Sequence, residues 1–109
     1  MYKFTNEQHG SLTLACNALI LEEYVHSFEH GKDFFRVDFD DYHVQITAPM
    51  KGALQFVLFD LQENLIESVV TDQVEDTLPM RRLILALIST INLASFNAGW
   101  DGYVIGDMQ

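Results

Sequence analysis

Two long apolar stretches frame a central run of alternating residues, and this arrangement predicts the elements. The first stretch, Leu12 to Phe28, follows Gly10-Ser11 and is closed by Gly31. It predicts a helix with Ser11 as N-cap and Gly31 as C-terminal stop. Leu14, Ala18, Leu21, Val25 and Phe28 fall on one stripe at helical spacing, and Glu22, Glu23, Ser27 and Glu29 lie largely elsewhere. Thr13 and Leu14 are equally compatible with a strand, so the start of this helix stays open.

The central run has the period of a pleated strand. Phe35, Val37 and Phe39 share one face, with Arg36, Asp38 and Asp40 on the other. Tyr42, Val44 and Ile46 repeat the pattern against His43, Gln45 and Thr47. Asp40-Asp41 fits a tight turn between the two, although it lacks the glycine that most favours one. After the loop Ala48-Pro49-Met50-Lys51-Gly52, the segment Ala53–Leu61 is apolar on both faces apart from Gln55 and Asp60, as in a central strand. Gln62-Glu63-Asn64 turns the chain, and Leu65–Thr71 returns as a fourth strand.

Asp72 to Asp76 reads as an acidic loop, and a second helix starts at Thr77 or Leu78 with Pro79 in its first turn, where a missing N–H is harmless. Leu83 through Phe96 is apolar nearly all round, with Gly99 as the stop. Such a helix is deeply buried or shares its outer face with a partner. The expectation is an α+β fold: an N-terminal helix, a four-stranded antiparallel meander, and an apolar C-terminal helix packed on one face of the sheet. Residues 1–109 form one domain, in which 100–109 is a short C-terminal tail with an Asp101-Gly102 turn signal.

Composition adds one strong feature. Sixteen acids oppose six bases, giving a formal net charge of −10. This disfavours direct nucleic-acid binding, which depends on Lys and Arg neutralising phosphates. It also disfavours an anionic membrane surface. A basic partner protein is the natural complement. With 49% hydrophobic residues the chain has material for one core and needs no metal or disulfide staple. Cys16 is the one cysteine, so no intrachain disulfide forms. Met1 to Gly10 does not resemble a signal peptide, and neither apolar stretch is suited to span a bilayer, so a cytoplasmic protein is expected.

Candidate chemistry is sparse. On the expected first helix, Glu22, His26 and His30 are four residues apart and share a face, where they could converge on zinc. The spacing is not that of H-E-x-x-H, and a solvated face of Glu–His pairs is the better account. Asp38, Asp40 and Asp41 resemble the opening of a calcium loop but lack its glycine and closing glutamate. The apolar neighbours of Cys16 suit a buried, inert thiol rather than a nucleophile. The serines lie in no G-x-S-x-G context and the glycines form no phosphate loop, so no cofactor is expected.

Two interaction signals remain. Between Gly52 and Met80 there are six acids, Asp60, Glu63, Glu67, Asp72, Glu75 and Asp76, and no base. Together with Asp38, Asp40 and Asp41 they predict one strongly negative edge, which plain solubility would also explain. Trp100 and Tyr103 lie in a short tail with Val104, Ile105 and Met108, residue types enriched at interfaces. A tail folded back over the sheet is the plainer account. The sequence leads to a small acidic binding protein, not an enzyme, that inhibits a basic partner such as a nuclease or nucleic-acid-binding protein by occluding its surface, in the manner of an immunity protein or a phage counter-defence protein. One alternative is a structural or chaperone-like module that dimerises through the C-terminal helix or tail. Another is a metal-dependent enzyme using the His26/His30 helix face.

Overall fold

The chain enters its first helix earlier than Gly10-Ser11 suggests. Thr5 is the N-cap: its Oγ1 accepts the Gln8 N–H at 3.0 Å while Gln8 Oε1 accepts the Thr5 N–H at 3.0 Å. This reciprocal capping box starts α1, Asn6–Leu21, and places Ser11 in mid-helix. Gln8 also donates from Nε2 to the Gly52 carbonyl at 3.0 Å, so this buried amide ties the helix to the loop Met50-Lys51-Gly52. The buried stripe of α1 is Gln8, Leu12, Ala15, Cys16 and Leu19. Leu14 and Leu21, expected in the core, are 61% and 83% exposed.

The helix ends seven residues before Phe28. Glu23 takes a left-handed conformation (φ 65°), its N–H reaching Ile20 O and the Tyr24 N–H reaching Leu19 O, both at 3.0 Å. This is the Schellman arrangement with glutamate in the position usually held by glycine. Ser27–His30 then forms a strand, β1, so the sheet has five strands where four were expected. Gly31 is no helix stop. It occupies the turn after β1, where an added Cβ would lie 2.6 Å from the Phe34 ring.

The computed structural model describes residues 2–71 and 76–99, with 90–99 described as helical backbone alone. The other strands are β2 (Phe34–Phe39), β3 (Tyr42–Thr47), β4 (Leu54–Asp60) and β5 (Leu65–Thr71). They form one antiparallel sheet in the order β1-β2-β3-β4-β5, with a bulge where β5 passes Leu58 and Phe59. The alternation visible in the sequence sets the two faces. Phe35, Val37, Phe39, Val44, Ile46, Leu54, Phe56 and Leu58 form the covered face and are all buried. Phe34, Arg36, Asp38, His43, Gln45, Thr47, Gln55, Val57 and Phe59 make the opposite face.

α2, Thr77–Gly99, buries Met80, Ile84, Leu87 and Ile88 in the same core as the α1 stripe and the covered face. Arg82, Ala86 and Ser89 are exposed, so the described first half of α2 is amphipathic rather than apolar all round. The Arg81 guanidinium contacts the Glu22 carboxylate and links the start of α2 to the end of α1. Among the described residues no helix is long and apolar enough to cross a membrane.

Candidate functional site

An antiparallel meander returns alternate turns to the same end of the sheet, and this distributes the charge. The β2–β3 and β4–β5 turns share one end, which carries Asp40, Asp41, Asp60 and Glu63. The β1–β2 turn and the β3–β4 loop share the other, with Lys32 and Lys51. Lys3 joins them because the Phe4 N–H bonds to Lys32 O at 3.0 Å and Tyr2 bridges Ala48. All three lysines of the chain therefore lie at the end opposite the clustered acids.

The acidic end is held by local bonds. Asp60 accepts hydrogen bonds from Gln62 N, Asn64 N and Asn64 Nδ2 at 2.9–3.0 Å. The Asn64 backbone N–H, then its side-chain amide, holds the Asp60 carboxyl below the ordinary carboxylate range, so it stays ionised. Asp40 and Glu63 each adopt left-handed backbone (φ 47° and 64°), which aspartate tolerates better than glutamate. A cavity of about 410 Å³ opens here, lined by Asp41, Tyr42, Asp60, Leu61, Gln62 and Ile66. Two carboxylates beside an aromatic ring and aliphatic walls suit an ammonium or guanidinium group on an aliphatic stem. Among the described residues Asp40 faces His26, whose Nε2 lies 3.5 Å from Asp40 Oδ1, an exposed pair of little energetic weight.

The remaining expected site residues are dispersed. Asp38 is half-buried on the open face and pairs with Arg36 at 3.1 Å. Glu67 lies opposite Leu58 on β5, and its Oε1 accepts the Ser68 N–H at 3.0 Å. Asp76 precedes α2, and its carbonyl accepts the Met80 N–H. Asp72, Glu75, Trp100 and Tyr103 lie outside the described residues. The single acidic edge of the sequence reading is thus, among described residues, an acidic end of four residues with Asp38, Glu67 and Asp76 on other elements.

The proposed metal-binding helix face does not form, because the helix ends before it. Glu22 caps α1 and meets Arg81, and His26 faces Asp40. His30 sits on β1 with its Nδ1 3.2 Å from His9 Nε2. Among the described residues no group of three or more His, Cys, Asp or Glu side chains is placed to hold a metal ion. Cys16 is fully buried, and burial pushes its thiol up to about 12, so it remains protonated.

Sequence reasoning placed His43 on the outward face of its strand and missed its burial. It belongs to the open face yet is 1% exposed, beneath Phe59, whose ring stacks on it at 5.2 Å. Its Nε2 lies 3.3 Å from Gln45 Nε2 and 3.6 Å from Glu63 Oε2, while Nδ1 is buried with no hydrogen-bond partner. Burial, reinforced by the Arg36 charge, lowers the His43 pKa, against the opposing pull of Glu63 and Asp38. The signal available in the sequence was its register opposite Phe59, which becomes visible only once β4 is aligned on β3.

Compared with known proteins, the chain matches no family model, no curated protein and no solved structure.

Proposed function

We propose that this chain is a small acidic binding protein that occludes a basic surface of a partner protein, as an immunity protein or a counter-defence inhibitor does. The observation that carries this reading is the segregation of charge. Asp40, Asp41, Asp60 and Glu63 gather at one end of the sheet, where Asp41 and Asp60 line a cavity with apolar walls, and the lysines are held at the far end. Scattered acids would serve solubility equally well. Gathering them on one end makes a directional field that steers a cationic partner and orients it on arrival. The cavity adds a place for one basic side chain to be desolvated, which is where an interface concentrates its energy.

The test is capture from the native host on three immobilised forms: wild type, Asp40→Asn/Asp41→Asn/Glu63→Gln, and Lys3→Gln/Lys32→Gln/Lys51→Gln. Wild type and the lysine variant should retain the same basic protein, eluting near 0.5 M salt, where the screening length is roughly 4 Å. The acid variant should lose it. A partner held equally by all three forms would show that the acidic end is not the working surface.

A further inference from the structure

The two edges of the sheet differ. β1 is four residues long and presents Ser27, Glu29 and His30, a short polar edge of the kind that resists pairing with another chain. β5 is seven residues long, and among the described residues nothing pairs with its outer side. Val69 packs against the core, but three other apolar side chains are uncovered, with Leu65 62%, Ile66 38% and Val70 58% exposed. The Ser68 N–H is taken by its neighbour's carboxylate, Glu67 Oε1, and so turns toward this open side; by the alternation of an antiparallel ladder the Val70 N–H faces the same way. Ile66 belongs both to β5 and to the wall of the acidic cavity, so edge and cavity are one continuous surface.

We propose that β5 is the docking edge for an extended segment of the basic partner, which adds to the sheet as a sixth strand and places one Lys or Arg side chain in the cavity between Asp41 and Asp60. This rests on the acidic-end reading above and specifies how the partner is held. Charge complementarity selects the occupant. The segment from Gly52 to Met80 that contains this edge has six acids and no base, so a basic strand is attracted where a second copy of this acidic chain is repelled. Strand addition gives main-chain hydrogen bonds to Ser68 and Val70, and alternate side chains give specificity. An incoming carbonyl would take the Ser68 N–H and release the Glu67 carboxylate to meet a second basic side chain. The matching sequence is therefore an alternation of β-branched apolar and basic residues.

A short synthetic peptide of alternating valine and arginine tests this, beside the same peptide methylated on alternate backbone nitrogens and a version in which citrulline replaces arginine. Calorimetry should show the methylated peptide weaker by at least about tenfold, because it cannot complete the ladder. Amide exchange should slow at Ser68 and Val70 on binding of the unmodified peptide. Asp41→Asn should weaken the arginine peptide and leave the citrulline peptide unchanged. Equal, salt-sensitive binding of methylated and unmodified peptides would overturn strand addition while leaving the acidic-end reading intact. Failure of every basic peptide to bind at low salt would overturn both. A chain that light scattering shows to be a dimer broken by Val70→Lys would also overturn the proposal, since the edge would then be occupied by its own copy.

Discussion

The two faces of this sheet are made from the same strands by the same alternation, yet they obey different rules. On the covered face, Phe35, Val37, Ile46, Leu54, Phe56 and Leu58 are sealed by two helices and leave no polar atom to satisfy. On the open face, burial is achieved by neighbours lying across one another: Phe59 over His43, and Arg36 against Asp38. The first kind of burial excludes water by a whole layer and is tolerant of no loss of volume. The second depends on pairs, and it leaves a buried imidazole nitrogen without a partner. Stability should therefore reside on one face and chemical sensitivity on the other.

The largest expected effect tests that division directly. Phe56→Ala on the covered face should cost about 3–5 kcal/mol in denaturant unfolding, the usual range for emptying a sealed aromatic site. Phe59→Ala, three residues along the same strand on the open face, should cost clearly less, because water can enter the space it leaves. Equal losses would show that the open face is as tightly packed as the covered one.

Next in size is Gln8→Ala, which probes the one buried side-chain amide of the helices among the described residues. Its loss strands the Gly52 carbonyl and removes half of the capping box at Thr5. A buried acceptor left unpaired costs about 1–3 kcal/mol, and urea unfolding should show a decrease in that range. Gln8→Glu, which keeps the capping oxygen but sets a buried carboxylate against the Gly52 carbonyl, should cost at least as much at neutral pH.

How far this was legible beforehand follows from the same contrast. β2 and β3 lie where alternation places them, because one-sided burial imposes period two on the sequence, and β5 lies where the chain was expected to return after the Gln62-Glu63-Asn64 turn. α1 was displaced because Leu12 to Leu21 is apolar on two sides, offering a stripe through Leu14, Ala18 and Leu21 beside the true one through Leu12, Ala15, Cys16 and Leu19. The deciding residue is polar: Gln8 extends the true stripe, and Thr5-x-x-Gln8 is a readable capping box. The end of α1 carried no glycine, since Glu23 takes the left-handed position itself, and four residues of β1 are too few to show a period. At the site, the acids were readable from composition. Their gathering was readable in part: alternate turns of any meander coincide, which brings Asp40, Asp41 and Glu63 to one end, whereas Glu67 and Asp76 lie on other segments whose placement composition does not give.

A smaller effect concerns pH. The His43 pKa is lowered in the folded chain, chiefly by burial, from its ordinary value of 6.5. The unfolded chain then binds more protons than the folded one as pH falls past that value. His43 therefore contributes stability that is fully present above about pH 6.5 and is lost on acidification toward the lower folded value. The general relief of negative charge on acidification acts in the opposite direction, so the measurement is a difference. Melting temperature followed from about pH 7.5 to 5 should fall relative to His43→Gln, which has no such proton to take up. Phe59→Ala, by letting water reach the ring, should narrow that difference. Parallel curves for wild type and His43→Gln would mean that the ring is as hydrated as in the unfolded chain.

The smallest expected effect is at the acidic end. Asp40, Asp41 and Glu63 are exposed, make no strong cationic pair, and repel one another within a chain of net charge −10. Replacing them with Asn, Asn and Gln removes that repulsion without emptying any packed space. Asparagine also accepts the left-handed backbone at position 40 at least as readily as aspartate does. Exposed substitutions of this kind usually change stability by less than about 0.5 kcal/mol, so the melting temperature should stay level or rise slightly. The same triple change should slow association with a basic partner by at least about tenfold at low ionic strength, with the deficit shrinking as salt is added. Asp60 is left in place because its carboxylate holds the β4–β5 turn through Gln62 and Asn64, and altering it would confuse folding with binding. A clear fall in melting temperature would assign these three acids to the scaffold. An unchanged association rate at every salt concentration would assign them to solubility alone.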